Sequence, residues 1–141
     1  MIKLIMGEMG KGKTKYLLDN VNEAVKTANG SIVYLDKSAQ QMYDLNNKVR
    51  LIDISEYDIF NSSEFFGFIT GVASQDHDLE YIFIDSFLKV AKVDQEKEAI
   101  VEAIERLAKL SEKCDITFVI SVSRNKADLP EIPNTEIIVA L

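Results

Sequence analysis

At 141 residues, with 47% apolar and 28% charged side chains, the chain has the size and composition of one soluble domain, residues 1–141, built on one core. No apolar run approaches the roughly 18–20 residues of a membrane span, and residues 1–6 are too short an apolar segment for a signal peptide, so a cytoplasmic location is expected. A formal charge of −7 offers no basic stripe for DNA or RNA, and one cysteine with one histidine leaves neither an internal disulfide nor a Cys/His zinc site.

Residues 2–6 are an apolar run that predicts a strand. It leads straight into Gly7-Glu8-Met9-Gly10-Lys11-Gly12-Lys13-Thr14, ahead of a helix-compatible segment that reaches Thr27. Glycine, four residues, then Gly-Lys-Thr between a strand and a helix is the pattern of a phosphate-binding loop. Gly7 and Gly10 permit backbone conformations that a Cβ forbids, and Gly12 lets the main chain approach a phosphate. Successive N–H groups then point inward, and the helix dipole adds to the same spot. Lys13 reaches the β- and γ-phosphates in this reading, and the Thr14 hydroxyl ligates Mg²⁺. At average residue usage a chance match in a chain this long occurs well under about 1% of the time. Local charge agrees: Lys3, Lys11, Lys13 and Lys15 stand against Glu8. Screening over roughly 8 Å makes that neighbourhood, not the net charge, decisive. The Glu8 side chain is expected in solvent, with no catalytic role.

Further along, Tyr16, Leu17, Val21, Ala24 and Val25 recur at helical spacing, and Asn29-Gly30 suits a C-terminal cap. Residues 31–35 read as a buried strand ending at Asp36, and Ser38 is placed to cap a short helix over residues 39–46. Residues 49–54 read as another strand. Asn61 with Glu64 three residues on opens a helix with Phe65, Phe66, Ile69, Val72 and Ala73 on one face. Gly67 and Gly71 weaken that helix, and close packing on the sheet is the expected compensation. Residues 81–84 are the most continuous buried-strand signal, closed by Asp85. Asp94 is read as the cap of a helix to Lys113, with Ile100, Ile104, Leu107 and Ala108 facing inward. Residues 116–122 form another apolar run before Ser123-Arg124, and a loop with Pro130 and Pro133 precedes a terminal strand over residues 136–141. Cys114, between helix and strand, reads as a buried inert thiol, and His77 as solvated. Strands alternating with helices predict a doubly wound α/β fold, a mostly parallel sheet with helices on both faces.

In such sheets ligands sit at the carboxyl ends of the strands. The glycine loop, Asp36, Asp85 and Ser123-Arg124 all fall there. Four apolar residues followed by Asp85 have the form of a Walker B motif, whose carboxylate holds Mg²⁺ through water or accepts from Thr14. The competing reading of Asp85 is a turn- or helix-capping aspartate.

Asp85-Ser86, the long charged helix ending Leu107-Ala-Lys-Leu110, and residues 116–123 together resemble the RecA-like P-loop NTPases. The nearest branch is the replicative-helicase and circadian-clock ATPase group. The segment from Ser31 to Met42 is similar to that group's second strand, and the resemblance covers nearly the whole chain. It implies a nucleotide-binding three-layer domain that uses ATP or ADP with Mg²⁺. It places Asp36 at the family's catalytic glutamate, Ser121 or Ser123 near its γ-phosphate sensor, and Arg124, with Lys126 beyond, near basic residues inserted into a neighbour's site. Candidate catalytic residues are thus Lys13, Asp36 and Asp85; candidate nucleotide contacts are residues 7–15 and Ser123. Aspartate is one methylene shorter than glutamate, and a misplacement of about 1 Å can cost around a hundredfold, so slow hydrolysis or mere binding is expected. A strand-end turn residue is the plain alternative for Asp36, and a surface arginine for Arg124.

Three functions remain open on the sequence. One is a minimal ATPase of low turnover. Another is a nucleotide-dependent switch or assembly module, with an unidentified protein partner or self-association through Arg124. The last is a nucleoside or nucleotide kinase, since the loop followed by Leu17-Leu18 also resembles thymidine-kinase-type loops. That family's four-cysteine zinc lobe is absent, and Arg50, Arg106 and Arg124 are the only arginines available for a lid.

Overall fold

The computed structural model describes residues 1–38, 40 and 45–141. The helix expected over residues 39–46 lies largely outside them. Among the described residues, six strands form one sheet: β1 (Ile2–Met6), β2 (Ser31–Asp36), β3 (Val49–Asp53), β4 (Leu79–Ile84), β5 (Thr117–Val122) and β6 (Thr135–Ala140). Their spatial order is β3-β2-β4-β5-β1-β6, and every neighbouring pair is parallel. The helices are α1 (Lys13–Thr27), α2 (Ser62–Gln75), the single turn α3 (Phe87–Val90) and α4 (Lys97–Cys114).

Alternation along the strands divides the core into two layers, because successive side chains point to opposite faces of a sheet. Ile2, Leu4 and Met6 of β1 join Ile82 and Ile84 of β4 and Phe118, Ile120 and Val122 of β5 on the face covered by α2, α3 and α4. Ile5, Phe83, Val119 and Tyr34 face the other way and meet Leu17, Val21 and Ala24 of α1. Leu17 and Val21 are fully buried, and burying such a side chain stabilises the fold by roughly 1.5–3 kcal/mol. The expected doubly wound α/β fold, with helices on both faces of the sheet, is what the chain adopts.

Four details differ from expectation. Helix α1 ends at Ala28 in extended conformation, its N–H bonded to the Ala24 carbonyl, not at an Asn29-Gly30 cap. Gly30 is required for a different reason: a Cβ there would stand 1.9 Å from the Asp78 carbonyl oxygen. Gly67 and Gly71 do not pack on the sheet; open space surrounds both on the solvent side of α2. Helix α4 starts at Lys97, because Asp94 accepts from the Glu96 N–H in a turn before the helix instead of capping it. Cys114, finally, is half-buried, not buried.

The start of α2 is as expected. Asn61 accepts from the Glu64 N–H at 2.9 Å, while the Glu64 carboxylate reaches back to the Phe60 N–H at 2.7 Å. This reciprocal arrangement satisfies amides that a helix N-terminus otherwise leaves unpaired.

Candidate functional site

With all strands parallel, their carboxyl ends share one edge. There β1 releases the glycine loop, β2 ends in Asp36, β4 gives way to Asp85, and β5 runs on to Ser123. Because β5 lies between β1 and β4, a β5 side chain separates the loop strand from the Asp85 strand. That side chain is Ser121.

The loop turns on two glycines. Gly10 and Gly12 have φ of +85° and +83°, the left-handed region that a Cβ strains. Gly12 stands directly before the first helical residue, so α1 begins at Lys13 and its free amides face the cleft. Gly7 does not need that freedom. Its constraint is space: a Cβ would lie 3.0 Å from the Leu141 Cβ, and its N–H donates to the Val122 carbonyl at 3.3 Å.

Lys13 is buried, at 8% exposure. Its ammonium donates to the Glu8 carbonyl at 3.0 Å, and among the described residues it makes no ion pair. Burial lowers its pKa, partly opposed by the negative charge of Asp85. Partial burial thus disfavours the charged ammonium, and the Asp85 charge offsets only part of that cost.

Asp85 is the hub. The Thr14 hydroxyl donates to one of its oxygens at 2.8 Å, and the Ser121 hydroxyl to the other at 2.7 Å. Ser121, completely buried, also accepts from the Ser86 N–H at 2.7 Å. Both oxygens of Asp85 are therefore fixed before any ligand arrives. Of the two serines considered as sensors, Ser121 positions Asp85, and Ser123 lines the cleft.

Asp36 is 5% exposed and is not among the residues that line the cleft. One carboxylate oxygen accepts from the Lys37 N–H at 2.7 Å. Burial raises its pKa, the Lys37 amide works against that, and the Asp85 charge adds to the rise. Tyr34, two residues earlier on the same face, is fully buried, and its hydroxyl has no hydrogen-bond partner within normal geometry among the described residues. Burial first, then the charges of Asp85 and Asp36, keep that phenol protonated.

The cleft has a volume of about 880 Å³, within the range of small-molecule sites. The structure brings Met9, Gly10, Gly12, Lys13, Thr14, Asp85 and Ser123 into it, and leaves Gly7, Glu8, Lys11 and Lys15 outside. Glu8, Lys11 and Lys15 are exposed. The far wall is one the sequence reading passed over: Lys37 after β2, and residues of the 86–95 segment, including Leu88, Lys89, Lys92, Val93 and Gln95. Its only sequence signal is three lysines shortly after two strand-ending aspartates. Arg124 secures this wall by donating to the Gln95 carbonyl at 3.0 Å, with Asp128 at 3.8 Å from its Nε.

Thr14 and Asp85 are the oxygen donors that would hold a Mg²⁺ ion. A hydroxyl with one carboxylate suits that ion, which completes its shell with water and phosphate oxygens. Among the described residues no group of three or more His, Cys, Asp or Glu forms an all-protein metal cage. No described helix is long and apolar enough to cross a membrane.

No protein-family model matches the chain, and no curated protein matches it. Among solved structures it is similar to a KaiC-like protein from the hyperthermophilic archaeon Pyrococcus horikoshii OT3, with a TM-score of 0.60 and 17% sequence identity. The similarity covers 85% of this chain but 61% of that one. At this identity the comparison speaks to fold alone, and the shared fold is one parallel α/β sheet wound on both faces.

Proposed function

We propose that this chain binds Mg·ATP and Mg·ADP on the 7–14 loop and hydrolyses ATP slowly, in the manner of a minimal RecA-like ATPase. The observation that carries the reading is Lys13: a side chain 8% exposed whose ammonium has no carboxylate partner among the described residues, at the start of a helix whose first residues line the cleft. A polyphosphate supplies the missing negative charge. The amides of residues 10–14 receive its oxygens, and Lys13 moves from the Glu8 carbonyl to the β- and γ-phosphates. Thr14 and Asp85 hold Mg²⁺, which neutralises charge on the transferring phosphoryl group. Ser121 and Ser86 keep the Asp85 carboxylate in position for that task.

Asp36 supports slow turnover. Its raised pKa suits a proton acceptor, but its carboxylate sits behind the cleft wall and is tied to the Lys37 amide. Geometry comes before basicity in general-base catalysis. The same feature favours a second reading, a switch that binds nucleotide with no turnover.

Two measurements test the proposal. Fluorescent ADP should bind tightly with Mg²⁺ and at least tenfold more weakly in Asp85→Ala; equal binding in the variant contradicts the metal assignment. Phosphate released from ATP should exceed the buffer rate and fall at least tenfold in Lys13→Ala. Release equal to buffer selects the switch.

A further inference from the structure

The cleft is charged out of proportion to the chain. The protein carries −7 overall, yet four lysines (13, 37, 89 and 92) line this cleft against two aspartates (85 and 94). Lys13 belongs to the nucleotide loop. The other three stand on the far side from the β1 loop, each exposed and each lining the cleft.

We propose that Lys37, Lys89 and Lys92 form a second phosphate subsite, which holds a small phosphate ester or polyphosphate distinct from the nucleotide on the loop. Three observations converge on it. Lys37 follows β2 and Lys89 belongs to α3, which follows β4; those strands are neighbours, so both lysines reach the same side of the cleft. Like charges gathered on one wall repel one another unless an anion lies between them. Lys92 occupies a left-handed conformation, φ +56°, two residues past the last residue of α3. Glycine takes that conformation without strain, and a lysine there aims an ammonium into the cleft at a conformational cost. The wall is also braced from behind, through Arg124 on the Gln95 carbonyl and through Leu88 and Val93 in the core.

The chemistry favours a small ligand. One phosphate group spans three ammonium groups, whereas a nucleic-acid strand needs a continuous basic track that this acidic chain lacks. Leu88 and Val93 give the subsite an apolar flank for the rest of an ester. The subsite lies beyond the loop, where a ligand would face the terminal phosphate of a bound nucleotide. That orientation rests on the proposed nucleotide site; the lysine cluster does not.

The test is calorimetric titration of pyrophosphate into the full chain saturated with Mg·ADP, at fixed free Mg²⁺. One saturable site is expected, weakened at least tenfold in Lys37→Ala/Lys89→Ala, with ADP affinity changed less than threefold. No saturable binding with ADP in place overturns the subsite. So does a double variant that binds pyrophosphate normally, and so does one that loses ADP affinity in parallel, which assigns these lysines to the nucleotide itself. Preferential binding of single-stranded oligonucleotide over pyrophosphate also overturns it. If ADP fails to bind the unmodified chain, the nucleotide reading falls alone: pyrophosphate binding that survives Lys13→Ala but not the double variant then still supports the subsite.

Discussion

Asp36 shows how one buried carboxyl group joins stability to function. Its folded-state pKa is raised, so the fold favours its protonated form. The associated stability is fully present below the unfolded aspartate pKa of about 3.9 and is lost as pH rises through the folded value. At neutral pH the burial of this carboxyl group costs stability. Asp36→Asn removes the charge and keeps an oxygen to accept the Lys37 N–H. Without nucleotide, the variant should melt above the parent chain at pH 7, and the advantage should shrink as pH falls toward about 4. Thermal unfolding followed by circular dichroism at both values checks this; a variant that melts lower at pH 7, or by a pH-independent margin, contradicts it. Tyr34 lies two residues earlier on the same strand, its hydroxyl without a partner among the described residues. Nothing in the pattern around residue 34 distinguishes it from an ordinary buried strand aromatic.

Helix α2 carries the clearest opportunity for stabilisation. Its inward stripe is Phe65, Phe66, Ile69 and Ala73, which leaves Gly67 and Gly71 together on the solvent face with nothing near an added Cβ. Neither has positive φ. Replacing glycine by alanine inside an exposed helix gains about 0.5–1 kcal/mol. Gly67→Ala and Gly71→Ala should each raise the urea midpoint with an unchanged slope; a lowered midpoint would mean that these positions face something packed.

The same helix shows where sequence patterns inform and where they mislead. The apolar stripe and the Asn61/Glu64 pair were legible, because 3.6-residue spacing and capping chemistry are local. The expectation that the glycines pack on the sheet failed on phase: residues 67 and 71 are one turn apart on the face opposite that stripe. Asp94 misled for a related reason. An aspartate satisfies a backbone amide equally well in a turn before a helix as at its cap, and only the position of Lys97 decides. Strands β1, β2, β4 and β5 were legible as apolar runs. The 86–95 segment was not, since a four-residue helix is too short to show a period. The far wall of the cleft was hidden with it.

Across the whole molecule, one topological fact assembles the site. Parallel strands bring residues 7–14, 36–37, 85–95 and 121–123 to one edge, and the insertion of β5 between β1 and β4 makes Ser121 a brace for Asp85. An acidic chain thereby concentrates lysines in one cleft, where local charge governs binding. The similarity to the KaiC-like structure covers 85% of this chain and 61% of that one. The edge strands β3 and β6 frame the sheet and contribute no residue to the cleft.

The central claim is that the Lys13 ammonium, on a strand-to-helix loop and only partly compensated by Asp85, exists to meet a polyphosphate. Differential thermal unfolding of the parent chain and Lys13→Ala, each with and without Mg·ADP, tests it most directly. At about a hundredfold excess over Kd, binding contributes about 2.7 kcal/mol, which raises the melting temperature of a domain this size by several degrees. The account predicts that rise in the parent chain and none in Lys13→Ala, whose unliganded melting point should be no lower than the parent's. An equal nucleotide-dependent rise in both proteins would contradict it.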